Sequence, residues 1–313
     1  MKERLDPEIL ALFDDVILAQ GFPLDDIPKA RAFYTKNREA LGLAPETPAH
    51  LDLFVVNLET YDQASIELRI AKPKKIGPHP CILWMHGGGY VMGEARFDDA
   101  LLLALADQVG AVAASVEYRL APEFPFPTPL EDAYSALKYL SSESKSLDIN
   151  PMCMAIGGAS AGGGMAAALA LLARDRDFQP LRGQALLYPM LDEKNTNPSS
   201  YNHLKHFVWN CENNKVAWDA YVPGDKSNIS PYAAPIHAKN FEGLPPAFIP
   251  TGSLDLFLDE NISYARALID AGIPAELHVF PGACHAFNGF FPTTQVAKRC
   301  NASLFDFFRR VLG

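Results

Sequence analysis

Short runs of apolar residues alternate with amphipathic stretches along most of this chain. At 7–20 and again at about 27–41, apolar residues recur at helical spacing, which predicts two helices at the start. From residue 51 the pattern changes to strands, first two that alternate and then shorter apolar runs that suit strands buried on both faces. The predicted strands are LDLFVVNL at 51–58, SIELRIA at 65–71, CILWM at 81–85, AVAASV at 111–116, MCMAI at 152–156, QALLYPM at 184–190, AFIPT at 247–251 and ELHVFPG at 276–282.

Helical patterns fill the intervals between these strands. They are DDALLLALADQV at 98–109, LEDAYSALKYL at 130–140, the run after Ser160, DENISYARALIDAG at 259–272 and QVAKRCNASLFDFFRRVL at 295–312. Strands that alternate with helices in this way are typical of an α/β fold. The sequence therefore predicts a mostly parallel central sheet flanked by helices.

One region, residues 192–240, departs from this alternation. It is rich in asparagine and aromatic residues and shows no strand pattern. An insertion of this length is more typical of a lid or binding element than of a plain loop, although a surface excursion whose aromatics pack on the main core is an alternative. We therefore expect a helical cap formed by residues 1–45 and 192–240, over a catalytic core formed by 46–191 and 241–313.

The segment Gly158-Ala159-Ser160-Ala161-Gly162 matches G-x-S-x-G, in which a serine stands at a sharp turn from strand to helix. Alone the pattern is weak, because a glycine-rich packing turn with an incidental serine looks the same. The context strengthens it, since the strand-like MCMAI precedes it and the helix-like GGGMAAALALLARD follows. Small neighbours let the strand and helix approach closely and leave the hydroxyl of Ser160 accessible, so Ser160 is the candidate nucleophile.

A second glycine motif, His86-Gly87-Gly88-Gly89-Tyr90, directly follows the predicted strand CILWM. Glycines at a strand end leave backbone N–H groups unobstructed, and such donors stabilise the oxyanion that forms when a serine attacks a carbonyl. A flexible glycine turn is the alternative. A nucleotide site is not indicated, because neither glycine segment fits G-x-G-x-x-G and no Gly-Lys-Ser/Thr follows.

Together these motifs resemble those of the hormone-sensitive-lipase-like carboxylesterases, a bacterial-type family of the α/β-hydrolase fold. The resemblance covers most of the chain and rests on HGGGY at 86–90, EYRLAPEFPFP at 117–127, GASAGG at 158–163, SLDLFLDE at 253–260 and HAF at 285–287. It implies hydrolysis of short- to medium-chain carboxylic esters through an acyl-enzyme, on a small-molecule substrate and without a metal or organic cofactor. Dimers are common in the family, so the resemblance leaves a homodimer open.

A serine nucleophile needs a base, and in this fold the base is a histidine that follows the serine and the acid in the chain. Two histidines, His278 and His285, follow residue 240. His278 lies inside the predicted strand ELHVF, where its side chain is fixed to one sheet face. His285 lies in a loop beyond that strand, where the sites of open α/β sheets gather, and is therefore the predicted base.

The predicted acid is Asp255, which follows the predicted strand AFIPT and the turn at Gly252-Ser253. Asp259 and Glu260 are its rivals. Both fall at the start of the next helix, where the helix dipole favours acids without a catalytic reason. The family resemblance also selects Asp255.

The oxyanion is expected to be bound by the N–H groups of Gly87, Gly88 and Ala161. Ala161 is the first residue of the predicted helix after Ser160, so the partial positive charge at the helix N-terminus also stabilises the oxyanion. His86 and Gly89 are expected to support this loop, His86 through hydrogen bonds rather than by proton transfer.

Two positions depart from the family pattern, and one motif has no evident chemistry. Ala159 stands where the family often has Asp, and Leu256 where it often has Pro; neither change removes a catalytic group, and both concern the subfamily and its substrate preference. In EYRLAPEFPFP, Arg119 and Glu123 are expected to pair and brace the glycine loop.

Composition narrows the function further. The formal net charge is −10, from 27 basic and 37 acidic residues, without the basic footprint of a nucleic-acid binder. The five cysteines form no C-x-x-C pair, which favours a reducing compartment over a disulfide framework.

The longest apolar run, at 161–173, is shorter than the about 20 residues that span a bilayer, and the N-terminus is a poor signal peptide, so we expect a cytoplasmic protein. His203 and His206 lack further ligands nearby, so no metal site is expected there.

Two other classes of function stay open at this point. One is an amidase, peptidase or acyltransferase that uses the same triad. The other is a binding protein on an inactive hydrolase scaffold, against which the presence of Ser160, Asp255 and His285 argues.

Overall fold

A central sheet carries the fold. The computed structural model describes residues 2–17, 21–40, 46–179, 181–201 and 207–313. The strands are β1 (Leu51–Glu59), β2 (Ser65–Pro73), β3 (His79–Met85), β4 (Val112–Val116), β5 (Ile149–Ala159), β6 (Gln184–Leu187), β7 (Ala247–Leu254) and β8 (Ala275–Cys284). They form one eight-stranded sheet of order β1-β2-β4-β3-β5-β6-β7-β8 within this described part of the chain. The pairs β1–β2 and β2–β4 are antiparallel and the others parallel, so the predicted mostly parallel sheet is confirmed.

Helices cover both faces of the sheet. They are α1 (Pro7–Leu12), α2 (Ile27–Ala40), α3 (Asp99–Gln108), α4 (Thr128–Ser142), α5 (Ala161–Asp175), α6 (Pro198–Tyr201), α7 (Cys211–Tyr221), α8 (Leu258–Asp270), α9 (Phe287–Phe290) and α10 (Gln295–Leu312). Every residue of β4 and β6 is buried, as expected for central strands covered on both sides. The predicted α/β class and its helical flanks are therefore confirmed.

The sequence of α5 explains how closely this helix approaches the sheet. Thirteen consecutive residues from Ala161 to Ala173 are buried, and most of them are glycine or alanine. Small side chains all round a helix allow close contact on every side, whereas α10 is amphipathic and buries only the stripe that includes Val296, Cys300, Leu304 and Phe308. The nucleophile motif at the start of α5 is thus held by one of the most deeply buried helices in the described chain.

Two predicted elements are shorter than expected. The helix predicted over 7–20 ends at Leu12, followed by a turn at 13–15, and residues 18–20 lie outside the described part. The strand predicted over 184–190 ends at Leu187, because Tyr188 has a positive φ of 35° and a proline follows.

Residues 192–201 and 207–240 contain α6, α7 and a short 3-10 helix at Pro235–His237, and no strand. None of the helices in the described residues is both long enough and apolar enough to cross a membrane. The five cysteines, all of them described, form no disulfide.

Candidate active site

Ser160 stands at the turn between β5 and α5. Its φ of 58° and ψ of −120° are a strained conformation for a residue with a side chain. The neighbouring glycines explain how the turn closes. A Cβ atom at Gly158 would lie 2.2 Å from the carbonyl oxygen of Gly162, and a Cβ at Gly162 would lie 2.1 Å from that of Met85. Glycine is therefore required at both positions for the helix to start where it does.

The hydroxyl of Ser160 is the end of a hydrogen-bonded chain of three side chains. Its Oγ lies 2.9 Å from Nε2 of His285, and Nδ1 of His285 lies 2.9 Å from Oδ2 and 3.1 Å from Oδ1 of Asp255. Asp255 is fully buried and His285 is 4% exposed, so water screens this chain little. The three residues follow the carboxyl ends of β5, β7 and β8, where the sequence predicted them to meet.

The rival residues point elsewhere. The side chain of His278 is 39% exposed on β8, and Asp259 accepts a hydrogen bond from the backbone N–H of Ser199. Glu260 is buried and accepts from the backbone N–H of Leu191 at 2.7 Å, while burial raises its pKa well above the usual value. None of the three is hydrogen-bonded to His285 in the described structure.

The glycine loop lies beside Ser160. A Cβ atom at Gly87 would stand 3.5 Å from the Cβ of Ser160, which places this backbone against the serine. Gly88 has a φ of 128°, and a Cβ there would lie 2.0 Å from the carbonyl oxygen of Met92. Within the described part of the chain, the N–H groups of Gly87, Gly88 and Ala161 donate to no protein acceptor. Three backbone donors are thus left for a ligand beside the hydroxyl.

His86 is packed beneath this loop. Its ring stacks on Tyr118 at a centroid distance of 4.1 Å, and its Nδ1 lies 2.8 Å from the carbonyl oxygen of Gly87. The hydroxyl of Tyr118 in turn donates to the carbonyl oxygen of His86 at 2.8 Å. Burial lowers the pKa of His86, so a neutral ring that donates from Nδ1 holds the loop in shape.

The expected pair of Arg119 and Glu123 is wrong. Arg119 binds Asp132 and Asp62, whereas Glu123 binds Arg31 of α2. Asp132 on α4 is completely buried, and a buried carboxylate needs a charged partner. In the described part of the chain Arg119 supplies that charge. The same Arg31 donates to the carbonyl oxygens of Val91 and Ala121, so α2 is tied to the segments that follow the glycine loop.

A cavity of about 130 Å³ opens over the Ser160 hydroxyl. Aromatic side chains form part of its wall, and they come from Phe22 before α2, Tyr34 of α2, Trp209 before α7, Tyr188 after β6 and Phe290 of α9. The ring of Tyr188 also meets His285 edge-on at 5.0 Å. Sequence reasoning did not find Tyr188, although its place just past a strand's carboxyl end is the signal that identified Asp255.

A group of possible metal ligands lies apart from this cavity. Oxygen and nitrogen atoms of Asp192, Glu193 and His237 lie within 4.8 Å of one another, and Nε2 of His237 is 2.7 Å from Glu193. His237 is already paired with Glu193, and Lys194 lines the same surface depression, so no metal is assigned. His203 and His206 lie outside the described residues.

Comparison with known proteins identifies the family of this chain. A family model described as the alpha/beta hydrolase fold matches residues 82–289, and the chain belongs to that family. A solved bacterial heroin esterase is 36% identical, with a TM-score of 0.93 and 99% of each chain covered. The esterase LipI of Mycobacterium tuberculosis is 32% identical over 92% of this chain and 89% of its own. An ethyl acetate hydrolase of Pseudomonas putida is 30% identical over 82% and 81%. The predicted family resemblance is confirmed, and so is the predicted class of enzyme, a carboxylic ester hydrolase.

Proposed function

We propose that this chain is a serine carboxylesterase that works through an acyl-enzyme, with Ser160, His285 and Asp255 as its triad. The observation that carries the proposal is the continuous hydrogen-bonded chain from the Ser160 hydroxyl through His285 to the buried Asp255. The names of the relatives agree with it, since they are esterases.

The orientation of His285 sets the direction of proton transfer. Because Nδ1 donates to the carboxylate of Asp255, the lone pair of Nε2 faces the Ser160 hydroxyl. Oγ attacks the ester carbonyl carbon while its proton passes to Nε2. The imidazolium that results is stabilised by Asp255 and then gives the proton to the leaving alcohol. Water repeats the attack on the acyl-enzyme and releases the carboxylic acid.

The negative charge on the carbonyl oxygen is received by the N–H groups of Gly87, Gly88 and Ala161. Ala161 is the first residue of α5, and a helix N-terminus carries partial positive charge. The loss of one such donor typically costs about 3 kcal/mol in the transition state. His86 and Gly89 act indirectly in this proposal, because they fix the course of the loop.

Residues 1–45 and 192–240 act as the cap in this proposal. Phe22, Tyr34 and Trp209 from these segments close the aromatic wall over Ser160. The small space beside these aromatic rings suits acyl chains of short to medium length. A series of p-nitrophenyl esters from acetate to decanoate tests this, and Trp209→Ala is expected to move the preferred length upward. A preference for the longest chains in the wild type would contradict it.

The test of the triad is hydrolysis of p-nitrophenyl butyrate by alanine variants, with folding checked by circular dichroism. Ser160→Ala and His285→Ala are expected to lower kcat by about 10⁴ or more, and Asp255→Ala somewhat less. Matched controls are His278→Ala and Asp259→Ala, which remove a histidine and an aspartate outside the hydrogen-bonded chain. The assignment fails if folded Ser160→Ala keeps its activity, or if the controls lose as much as the triad variants. Matched ester and amide substrates separate an esterase from an amidase.

A further inference from the structure

A second cavity of about 250 Å³ adjoins the one over Ser160. Five residues line both cavities and so mark the boundary between them: Arg38, Asp98, Ala159, Tyr188 and Gly289. The catalytic mechanism proposed above uses none of the first three. The boundary is therefore a place where part of a substrate can meet charged side chains a short distance from the scissile bond.

Asp98 has an unusual position for a helix-capping residue. It is the N-cap of α3, where an aspartate normally accepts a hydrogen bond from the first turn of its helix, yet its carboxylate makes no such bond. Its Oδ2 instead accepts from the hydroxyl of Ser115, a fully buried residue of β4, at 2.8 Å. Burial raises the pKa of Asp98 to about 6. The partly buried carboxylate thus lies on the cavity wall, and the hydroxyl of Ser115 is the donor it has in the described part of the chain.

Arg38 lies in the last turn of α2 on the same boundary. Its guanidinium stacks over the ring of Phe97 at 5.2 Å and donates through Nη2 to the carbonyl oxygen of Phe97 at 3.0 Å. Its Nε is buried without a hydrogen-bond partner. No ion pair joins Arg38 to Asp98, although both residues lie within the described chain and line the same two cavities. An arginine has five N–H donors, so hydrogen-bonding capacity is left here.

The alanine at position 159, where the family often has aspartate, affects the boundary between the two cavities. Ala159 lines both cavities, immediately before Ser160. An aspartate at this position would put a larger side chain and a second carboxylate on the boundary that already holds Asp98. Alanine instead leaves Asp98 as the acidic group there among the lining residues.

The remainder of the second cavity is mostly apolar. Its lining beyond the shared residues includes Trp84, Leu101, Ala104, Leu187 and Leu304, with Asn288 and Asn301 as the polar members. A ligand arm that enters from Ser160 would therefore pass a polar neck and end among hydrocarbon side chains. Such a mixture is typical of a specificity pocket, in which a few polar groups fix the orientation of a largely apolar ligand.

Resting on the esterase function proposed above, we propose that this cavity is a substrate subsite whose neck, Arg38 and Asp98, recognises a hydroxyl group on one arm of the ester. A hydroxyl oxygen accepts from Arg38 while its proton is donated to Asp98, so one uncharged group serves both residues. An ammonium or carboxylate group would gain from one residue and be repelled by the other. A hydrocarbon arm would offer neither residue a further polar partner.

Two matched series of esters test the proposal, because either arm of the substrate can carry the group. One is ethyl hexanoate with its ω-hydroxy, ω-amino and ω-carboxy analogues. The other is pentyl butyrate with the same substituents at the end of the pentyl arm. Calorimetric binding to Ser160→Ala gives a readout that does not need turnover. On one arm the ω-hydroxy ester is expected to bind about tenfold more tightly than the other three members of its series.

Charge-removing variants in the Ser160→Ala background identify the neck. Asp98→Asn is expected to shift preference by about tenfold toward the ω-carboxy ester, and Arg38→Gln by a similar factor toward the ω-amino ester. The matched controls are Asp99→Asn, next in the chain but paired with Arg69, and Arg96→Gln, paired with Glu39 and Glu94. Neither control residue lines the two cavities, so neither change is expected to alter the ranking.

The proposal is overturned if a charged ester binds most tightly to the protein with both residues intact, if neither arm shows discrimination, or if Asp98→Asn and Arg38→Gln leave the ranking unchanged.

Ala104→Phe fills the apolar end without touching the neck. It is expected to weaken binding of ethyl 6-hydroxydecanoate, whose chain continues past the hydroxyl into this end, more than binding of the ω-hydroxy ester, whose chain stops at the neck. Hydrolysis of p-nitrophenyl acetate by the otherwise wild-type enzyme is expected to persist, so the proposal can still be judged if a neck variant does not fold. Loss of the esterase function itself would appear separately, as a wild type inert toward p-nitrophenyl butyrate.

Discussion

The indole ring of Trp209 lies directly against Gly89 of the glycine loop. A Cβ atom at Gly89 would stand 2.5 Å from the ring carbon Cη2, which is closer than any real contact. Trp209 is itself held by a buried hydrogen bond from its Nε1 to Asn214 at 3.1 Å. The segment before α7 and the loop that carries the proposed oxyanion donors are therefore packed as one unit, and a change in either is transmitted to the other.

Gly89→Ala is expected to lower kcat/KM for p-nitrophenyl butyrate by at least about tenfold, because the new methyl displaces Trp209 or the loop. The control is Gly110→Ala. Both glycines have a positive φ, 63° and 74°, so both variants carry backbone strain of about 1 kcal/mol, but nothing lies within 4 Å of a Cβ at Gly110. Equal kinetic losses in the two variants would show that strain, and not the contact with Trp209, is responsible.

The turn at Ser160 gives a second prediction. A Cβ at Gly162 meets the backbone oxygens of Met85 and His86, which cannot yield, at 2.1 and 2.5 Å. At Gly163 the closest atom is 3.1 Å away. Gly162→Ala is therefore expected to lower the free energy of unfolding by about 3 kcal/mol and to abolish most of the activity. Gly163→Ala is expected to lower the free energy of unfolding by about 1 kcal/mol. Urea denaturation followed by circular dichroism measures both, and similar stabilities for the two variants would contradict the tight strand-to-helix contact.

The positions of Ser160, Asp255 and His285 could be predicted because a local signal marks each of them. Parallel strands bring their carboxyl ends to one edge of the sheet, so residues just past MCMAI, AFIPT and ELHVF are expected to lie close together. The positions of the strands and the start of α5 follow from the same short apolar runs. Local pattern and tertiary arrangement point to the same result in this part of the molecule.

Contacts between distant segments carried no such signal. Arg119 and Glu123 are close in sequence, yet each is paired with a residue from another element, Arg119 with Asp132 and Glu123 with Arg31. Asp98 looks in the sequence like an ordinary helix-capping residue, and only the fold shows that its carboxylate faces a cavity. Side-chain partners across the sheet depend on packing, which residue spacing does not encode.

The corrected pairing of Arg119 leads to a third prediction. Asp132 is fully buried and Arg119 is 14% exposed, so Asp132→Ala leaves a nearly buried charge without its main partner. The free energy of unfolding is expected to fall by about 3 kcal/mol or more. Glu123→Ala removes a carboxylate that is 51% exposed and is expected to cost less than about 1 kcal/mol. If the Glu123 variant is the less stable of the two in urea, the assignment of the buried pair is wrong.

The last prediction compares the pH dependence of the free energy of unfolding between the wild type and Asp98→Asn. Burial raises its pKa to about 6 in the folded state, from 3.8 in the unfolded chain. Between these values the folded protein binds a proton that the unfolded chain has lost, so stability from this group falls as the pH rises through that window. Asp98→Asn does not ionise. Its advantage in free energy of unfolding over the wild type is therefore expected to grow from about pH 4 to pH 7, by at most about 3 kcal/mol, and to stay constant above.

A control of opposite sign is available in Asp62. The hydrogen bond from Arg119 lowers the pKa of the Asp62 carboxyl, so this carboxylate contributes stability above its unfolded pKa, and that stability is lost as the pH falls through the folded value. Asp62→Asn is therefore expected to be less stable than the wild type at pH 7, where Asp98→Asn is more stable. Thermal melts of the three proteins at several pH values measure both differences. If Asp98→Asn gains nothing at pH 7, the carboxylate is not desolvated, and its lack of donors cannot be a reason for the proposed hydroxyl subsite. If Asp98→Asn gains stability while it loses discrimination among the ω-substituted esters, the partly buried charge is retained for binding at the expense of folding, as expected of a group that acts on a ligand.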